Sequence, residues 1–309
     1  MPLAPPSEQA AIAARLGVAA ALIGTTAKVM VEHLGEVWAG GFRQVLAFTD
    51  ANARTFGVGI AIDPDDYLAR RMAALSAGVS GSKALSRAAM ARKGDLWIER
   101  ALGLGGVDAL GPDGPSASLA IAGPATLADD GEAAQVIGLS AGVAAEVVAR
   151  LGAFDREPAT TSDRELRATI FSGPAGQDHR IELSAWLPDD ALARLHAAAT
   201  KLAITGAQLR LLDRIHPILA ASHPVSIRIA ARADAVVPGA TLVYGPQTLD
   251  HALRVVTGLA TDHDAATRWG AFVGATDASR VRVLELALGP HDPIAARLGC
   301  EVRSGLQTA

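Results

Sequence analysis

Apolar and polar residues alternate in short runs along this chain, and the runs come in pairs. The clearest pair is ELRATIFSG and DHRIELSAWL, joined by PAGQ, which is the pattern of a β-hairpin. Pairs begin near Phe42, Leu96, Leu166, Val225 and Arg280, and segments with apolar residues at helical spacing precede them. The order helix, strand, strand therefore repeats with a period of roughly 55 to 70 residues, although the residues themselves do not repeat.

The stretch VSIRIAARAD shows what the two faces of the predicted sheet carry. Val225, Ile227 and Ile229 fall on one face, and Arg228 and Arg232 fall on the other. Helices that connect antiparallel hairpins cover one sheet face, which must be apolar. The other face combines arginines with large aromatic residues, which is unusual on a bare sheet exterior and typical of a pocket with apolar walls and a few polar groups.

Two architectures suit this pattern. An open sheet of about ten strands has two exposed edges, whereas closure into a barrel removes both edges and turns the polar face into a lumen. We therefore predict an α+β fold, an antiparallel ten-stranded β-barrel ringed by helices. The alternative is an open sheet with helices on one side and a solvated face on the other. No long linker divides the chain, so residues 1–309 are predicted as a single domain of five helix-plus-hairpin units.

Composition narrows the classes of partner. Half of the residues are hydrophobic and 19% are charged, as in folded globular proteins. The formal net charge of −4 argues against a nucleic-acid or anionic-membrane partner, so any anion site must be local. Cys300 is the only cysteine, which excludes an internal disulfide and a cysteine metal cluster and fits a reducing cytoplasm. Arg15, Lys28 and Glu32 interrupt the apolar N-terminal region, so no membrane segment is predicted and the expected location is cytoplasmic.

This order of elements resembles the ABBA, or PT-barrel, prenyltransferases. The resemblance covers nearly the whole chain and rests on element order, without a diagnostic residue motif. It implies a prenyltransferase that moves an isoprenoid group from its diphosphate to an aromatic small molecule or a peptide. In that family, lumen Arg and Lys side chains bind the diphosphate of an allylic donor, tyrosines shield the carbocation, and a glutamate often accepts the proton of the acceptor.

The resemblance assigns roles to particular residues of this chain. Glu99 and Glu182 are the candidate catalytic proton acceptors. Arginines are the candidate diphosphate ligands, because guanidinium groups bind phosphate oxygens well. Tyr244, the one tyrosine in a predicted strand, and Trp186 are candidate substrate-binding residues. The candidate diphosphate-binding residues are Arg167, Arg180, Arg228, Arg232, Arg280 and Arg282.

The chain also departs from the family. None of its four lysines lies in a predicted strand, and with two tyrosines a full tyrosine shield is impossible, so Trp97, Trp186 and Phe171 would have to replace it. No cofactor is predicted, and a magnesium requirement stays open. Two other classes stay open as well: a non-catalytic ligand-binding or scaffold protein with the same αββ-repeat fold, and an isomerase or lyase that acts on an anionic small molecule. An enzyme requires Glu99, Glu182 and the arginines to converge on one cavity.

Overall fold

The computed structural model of the protein describes residues 6–24, 44–62, 96–102, 117–126, 140–154, 163–173, 176–187, 190–220, 225–290 and 293–304. The helices in these ranges are α1 (Pro6–Leu22), α2 (Ala141–Gly152), α3 (Ala191–Ala198), α4 (Gly206–Ala220), α5 (Leu249–Leu259) and α6 (Ala265–Thr276). The strands are β1 (Gln44–Asp50), β2 (Phe56–Ile62), β3 (Leu96–Leu102), β4 (Ala117–Thr126), β5 (Asp163–Gly173), β6 (Gly176–Trp186), β7 (Val225–Ala231), β8 (Ala240–Tyr244), β9 (Gln247–Thr248), β10 (Arg280–Leu288) and β11 (Ala295–Glu301).

The sheet closes on itself. Its antiparallel strands follow the order β11, β1 to β8, β10, β9, and β11 also pairs with β10. Strand β11 therefore has a partner on each side, with Glu301 opposite Leu46 of β1 and Arg297 opposite Glu285 of β10. The predicted α+β antiparallel barrel is confirmed, and the open-sheet alternative is wrong.

The predicted strand pairs are present, with two differences at the C-terminal end. The sequence predicts a return strand for the last pair around Gly299 to Leu306, but the strand runs from Ala295 to Glu301. The two-residue strand β9 beside β10 was not expected. A β-bulge also lies between Val281 and Val283 of β10. Such a bulge shifts every later side chain to the opposite face relative to plain alternation.

Two segments predicted as single helices are each divided. The segment from Pro188 to about Leu219, where the apolar spacing predicts a helix, contains α3 and α4. The segment TLDHALRVVTGLATDHDAATRWGAFVGA, also predicted as one helix, contains α5 and α6, between which Ala260 has extended backbone. The predicted helix that follows Asp63 lies outside the described residues. Within the described part of the chain, no helix combines the length and apolar character needed to cross a membrane.

The main core lies between the helices and the outer face of the barrel. Val225, Ile227 and Ile229 of β7 are at most 5% exposed, and α2 packs against β6 and β7. Helix α2 begins at the N-cap Ser140, whose Oγ accepts a hydrogen bond from a backbone N–H of the first turn. Each fully buried aliphatic side chain contributes about 1.5–3 kcal/mol. Because the helices pack against the outer face, the opposite face of each strand lines the lumen.

The turn between β1 and β2 is anchored to the loop between α5 and α6. Asp262 forms ion pairs with Arg54 of the turn and with Arg268 of α6, the second at 2.7 Å, and Arg268 donates two hydrogen bonds to the backbone oxygen of Asn52. The backbone N–H of Asp264, followed by the two arginines, lowers the pKa of Asp262 to about 2. These contacts hold one end of the first hairpin.

Gly239 fixes the connection between β7 and β8. Its φ is +107°, and a Cβ atom there would lie 2.2 Å from the carbonyl oxygen of Leu288 at the end of β10. Only glycine suits both conditions. The connection therefore brings the ends of β8 and β10 together where the barrel closes.

Candidate functional site

Two arginines and one glutamate form a buried cluster on the lumen face. The Nη1 atom of Arg228 on β7 donates to Glu285 Oε1 on β10 at 2.6 Å, and Nη1 of Arg297 on β11 donates to Glu285 Oε2 at 2.7 Å. The side chains of Arg228 and Glu285 are 8% and 9% exposed. One carboxylate thus joins two guanidinium groups in a site that excludes most water, where charges interact more strongly than at the surface.

An aromatic ring lies beside this cluster. Phe48 of β1 is 1% exposed, and the guanidinium carbon of Arg297 lies 3.8 Å from its ring centroid, a cation–π contact. Phe48 is opposite Gly299 in the ladder between β1 and β11, and a Cβ atom on Gly299 would lie 2.5 Å from Cε1 of the ring. The absence of a side chain at position 299 therefore allows the ring to lie against β11.

A second ion pair lies nearer to one end of the barrel. Arg282 donates from Nε to Glu301 Oε2 at 2.8 Å, and Gln44 donates to Glu301 Oε1 at 3.2 Å. Partial burial acts to raise the pKa of Glu301, but the hydrogen bond and charge of Arg282, with the bond from Gln44, outweigh it, so this pKa is lowered. Glu301 is consequently ionised at neutral pH.

The register gives the two sides of the lumen different character. Strands β5 to β7, β10 and β11 carry most of the charged lumen positions. The lumen positions on β2 and β4 are mostly small residues, and β3 between them has Trp97 and Glu99 at its lumen positions. Phe48 pairs with Gly57, and Gly59 pairs with Glu99. Glycine and alanine project little or no side-chain volume. The small lumen positions on these two strands are Gly57, Gly59, Ala61, Ala120 and Ala122.

Several residues predicted from the sequence share the charged side. Arg180 is 8% exposed and Glu182 is half-buried, both on β6, and the backbone of Glu182 pairs with Arg167. Arg232 directly follows β7, and the residue before it, Ala231, pairs with Ile181 of β6. The register thus places Arg180 and Arg232 near each other, toward the end of the barrel opposite to Glu301.

Other predicted residues lie apart from the cluster or are described only by their backbone. Glu99 and Arg167 have described register positions on the lumen face, and their side chains lie outside the description. Trp186 ends β6 opposite Ser226 and is 57% exposed, so it lies near a mouth of the barrel. Arg280 is exposed at the start of β10 opposite Thr248 of β9, so the structure does not bring it to the cluster.

The placement of Tyr244 requires a correction. Tyr244 belongs to the helix-facing core and is fully buried, and its hydroxyl lies 2.8 Å from Nδ1 of His216 on α4. It shares its face with Leu242, so it cannot contact a ligand in the lumen. Burial lowers the pKa of His216 and raises that of Tyr244, so both side chains are neutral at neutral pH.

Replacing Tyr244 by Phe should lower stability without changing ligand binding. The substitution leaves Nδ1 of His216 buried without its hydroxyl partner, at a cost of about 1 to 2 kcal/mol in the free energy of unfolding. Urea unfolding measures this loss, and the affinity for inorganic diphosphate should stay unchanged. A change in that affinity at full stability would return Tyr244 to the ligand site.

Two members of the cluster were not predicted from the sequence. Arg297 precedes the expected return strand, but Ala296, Leu298 and Cys300 are buried on one face while Arg297 and Gly299 lie on the other. That alternation is visible in AARLGC. Glu285 lies in VRVLELALG, where the bulge hides its face from a simple period of two.

The described residues hold no group of three or more His, Cys, Asp and Glu side chains that could bind a metal ion.

The fold is similar to that of solved aromatic prenyltransferases. 5-Dimethylallyl tryptophan synthase from Streptomyces coelicolor, solved in complex with DMASPP and Trp, matches with a TM-score of 0.62 at 14% identity, over 98% of this chain and 97% of its own. Prenyltransferase PriB in its apo form matches with a TM-score of 0.59 at 16% identity, over 96% of both chains. Its ternary complex with L-tryptophan and dimethylallyl thiolodiphosphate matches with a TM-score of 0.58 at 17% identity, again over 96% of both chains.

Sequence comparisons add no relative. No sequence model of a protein family matches this chain, and a search of curated protein sequences found no match. The structural likeness therefore shows the fold. The chain has the PT-barrel architecture of the ABBA-type aromatic prenyltransferases, as its order of elements predicted.

Proposed function

We propose that this protein is an aromatic prenyltransferase that moves an isoprenoid group from its diphosphate to an aromatic small molecule inside the barrel. The observation that carries the proposal is the buried cluster of Arg228, Arg297 and Glu285 on the lumen face of a PT barrel. We also propose that residues 1–309 act as one domain, because β1, at the start of the described sheet, pairs with the last strand.

Arg228 and Arg297, supported by Arg180, are the proposed diphosphate ligands. Ionisation of an allylic diphosphate breaks the bond between carbon and oxygen, and the electron pair leaves with the diphosphate. Fixed guanidinium groups in a dry cavity stabilise that leaving charge without reorganising. All three arginines are largely buried, with Arg180 8% exposed and the side chain of Arg297 13% exposed. The ring of Phe48 is 1% exposed and already carries the guanidinium group of Arg297 over its face, so its proposed role is to position that arginine through the cation–π contact.

The remaining role concerns the acceptor proton. The acceptor carbon bonds to the allylic carbon and then loses a proton. Glu182 is the proposed proton acceptor, because it is half-buried and shares the lumen face of β6 with Arg180. Glu99 is the alternative, and its register position lies between Gly59 of β2 and Ala120 of β4.

The proposed acceptor class is an aromatic compound of the size of tryptophan. The compared proteins were solved with Trp or L-tryptophan and with dimethylallyl donors. Gly57 and Gly59 of β2 have no side chain at their lumen positions, which favours a flat ring on that side of the barrel. Tryptophan and simple indoles are therefore the first acceptors to test, and indole-containing dipeptides test whether a peptide is accepted.

The direct test is product formation. Purified protein is incubated with dimethylallyl diphosphate or geranyl diphosphate and a panel of aromatic acceptors, with and without magnesium, and prenylated products are measured by mass spectrometry. The Glu182→Gln variant should bind inorganic diphosphate like the wild type and form about 100-fold less product, the lower end of the usual contribution of a general base. A protein that binds the non-ionising dimethylallyl thiolodiphosphate but makes no product with any acceptor would favour the non-catalytic ligand-binding class.

A further inference from the structure

We infer that Glu285 is a fixed counter-ion of the lumen that positions Arg228 and Arg297 and limits how tightly the barrel holds a diphosphate. The inference rests on the proposed function and adds a positioning residue to it. It assigns Glu285 no contact with the reacting carbon atoms. It acts by holding the two guanidinium groups in place and by the repulsion between its own charge and a diphosphate bound to them.

The geometry makes Glu285 the link among three strands. It lies opposite Arg297 in the ladder between β10 and β11, and Arg228 reaches it from β7, with β8 lying between β7 and β10. Each carboxylate oxygen accepts one guanidinium N–H, at 2.6 and 2.7 Å. A charge-assisted bond to each oxygen holds both long side chains in one arrangement before any ligand arrives, which lowers the entropy cost of binding.

The charge of the cluster argues for the second effect. Two guanidinium groups and one carboxylate leave a net charge of +1 among these three side chains, all largely buried. A diphosphate that binds the same guanidinium groups lies close to the Glu285 carboxylate and is repelled by it. In a site with low water content this repulsion is weakly screened. Glu285 should therefore weaken the binding of the donor and, equally, of the diphosphate product that must leave.

The Glu285→Gln variant tests this inference because it keeps the shape and removes the charge. We expect it to bind inorganic diphosphate about tenfold more tightly than the wild type, a change that corresponds to about 1.4 kcal/mol. Calorimetric titration at one salt concentration measures it, and in turnover the KM for the donor should fall. The control is Glu146→Gln, which removes the same charge from an exposed pair with Arg150 on α2 and should leave the affinity unchanged.

The direction of the effect separates a carboxylate that repels the ligand from one with a purely structural role. A damaged lumen weakens ligand binding, whereas removal of a repelling charge strengthens it. Glu285→Gln could fail to fold because the two guanidinium groups repel each other. In that case the effect of the Glu285 charge on diphosphate affinity is measured in a background that lacks Arg297, by comparing Arg297→Gln with the double variant Glu285→Gln/Arg297→Gln. The double variant should bind diphosphate about tenfold more tightly than Arg297→Gln.

Two negative results have different meanings. A wild-type protein that binds no diphosphate would contradict the proposed function, and the inference would fall with it. A wild-type protein that binds diphosphate, together with unchanged or weaker binding after loss of Glu285 in whichever background folds, would overturn this inference and leave the proposed function intact.

Discussion

Replacing Arg228 by Gln should weaken the binding of inorganic diphosphate about 100-fold and reduce prenyl transfer below detection. Arg228 contributes a guanidinium group that is 8% exposed and hydrogen-bonded to Glu285 at 2.6 Å. Removing Arg228 takes away one partner of the buried charge pair that it would form with bound diphosphate. Such a loss costs about 2 to 5 kcal/mol of binding free energy, and about 1.4 kcal/mol corresponds to tenfold in affinity. A cost of about 3 kcal/mol gives the expected factor.

Stability must be measured beside affinity, because Arg228 also balances the buried charge of Glu285. Arg194→Gln is the matched control, since Arg194 forms an ion pair with Asp190 on the exposed face near α3, where such pairs contribute little. Arg228→Lys keeps the charge but loses the planar fork, and should bind with intermediate affinity. Wild-type affinity in a folded Arg228→Gln protein would remove Arg228 from the proposed diphosphate site.

The lumen position of Arg228 could be predicted because β7 alternates without interruption. Val225, Ile227 and Ile229 needed the apolar side, so the residues between them had to take the other side. The structure has this arrangement, with those three residues in the core beneath the helices. What the sequence left undecided was whether the other side was lumen or exterior, because closure depends on the pairing of β1 with β11, strands far apart in the chain.

The carboxylate partner of Arg228 could not be predicted in the same way. Strand β10 carries a bulge between Val281 and Val283, so residues after it change face relative to plain alternation. Arg280 and Arg282 are equivalent by spacing, yet Arg282 forms an ion pair with Glu301 while Arg280 is exposed beside β9. No local signal in VRVLELALG marks the bulge.

The error over Tyr244 had a different origin. Tyr244 follows Leu242 and Ala240 at spacings of two and four, so the alternation already indicated the apolar side. The role was instead taken from the resemblance, in which tyrosines shield a cation. The hydroxyl finds its partner in His216 of α4, as buried tyrosines usually do. For assigning a side chain to the lumen or the core, the alternation along the strand is therefore a better guide than a role taken from a family resemblance.

Replacing Gly299 by Ala should destabilise the protein by about 2 kcal/mol, within the usual range for an overpacked core. The new Cβ would lie 2.5 Å from Cε1 and 2.9 Å from Cδ1 of Phe48. The ring cannot yield freely, because it is 1% exposed and the guanidinium group of Arg297 lies over its face. Urea unfolding measures the loss. The control Gly258→Ala adds a methyl group to α5 where no atom lies within 4 Å, and should instead stabilise by about 0.5 to 1 kcal/mol.

The double variant Gly299→Ala/Phe48→Leu separates the clash from other effects of the alanine. Leucine is narrower than the ring, so it leaves room for the new methyl group, and the double variant should lose less stability than the two single variants together. A positive coupling of this kind is the expected result for residues in contact. Simple additivity would mean that Phe48 does not rest on Gly299, and the position of Arg297 above the ring would then lose its support. Because Arg297 is a proposed diphosphate ligand, the Gly299→Ala variant should also bind diphosphate more weakly, and Phe48→Leu alone shows how much of that loss is due to the missing aromatic face.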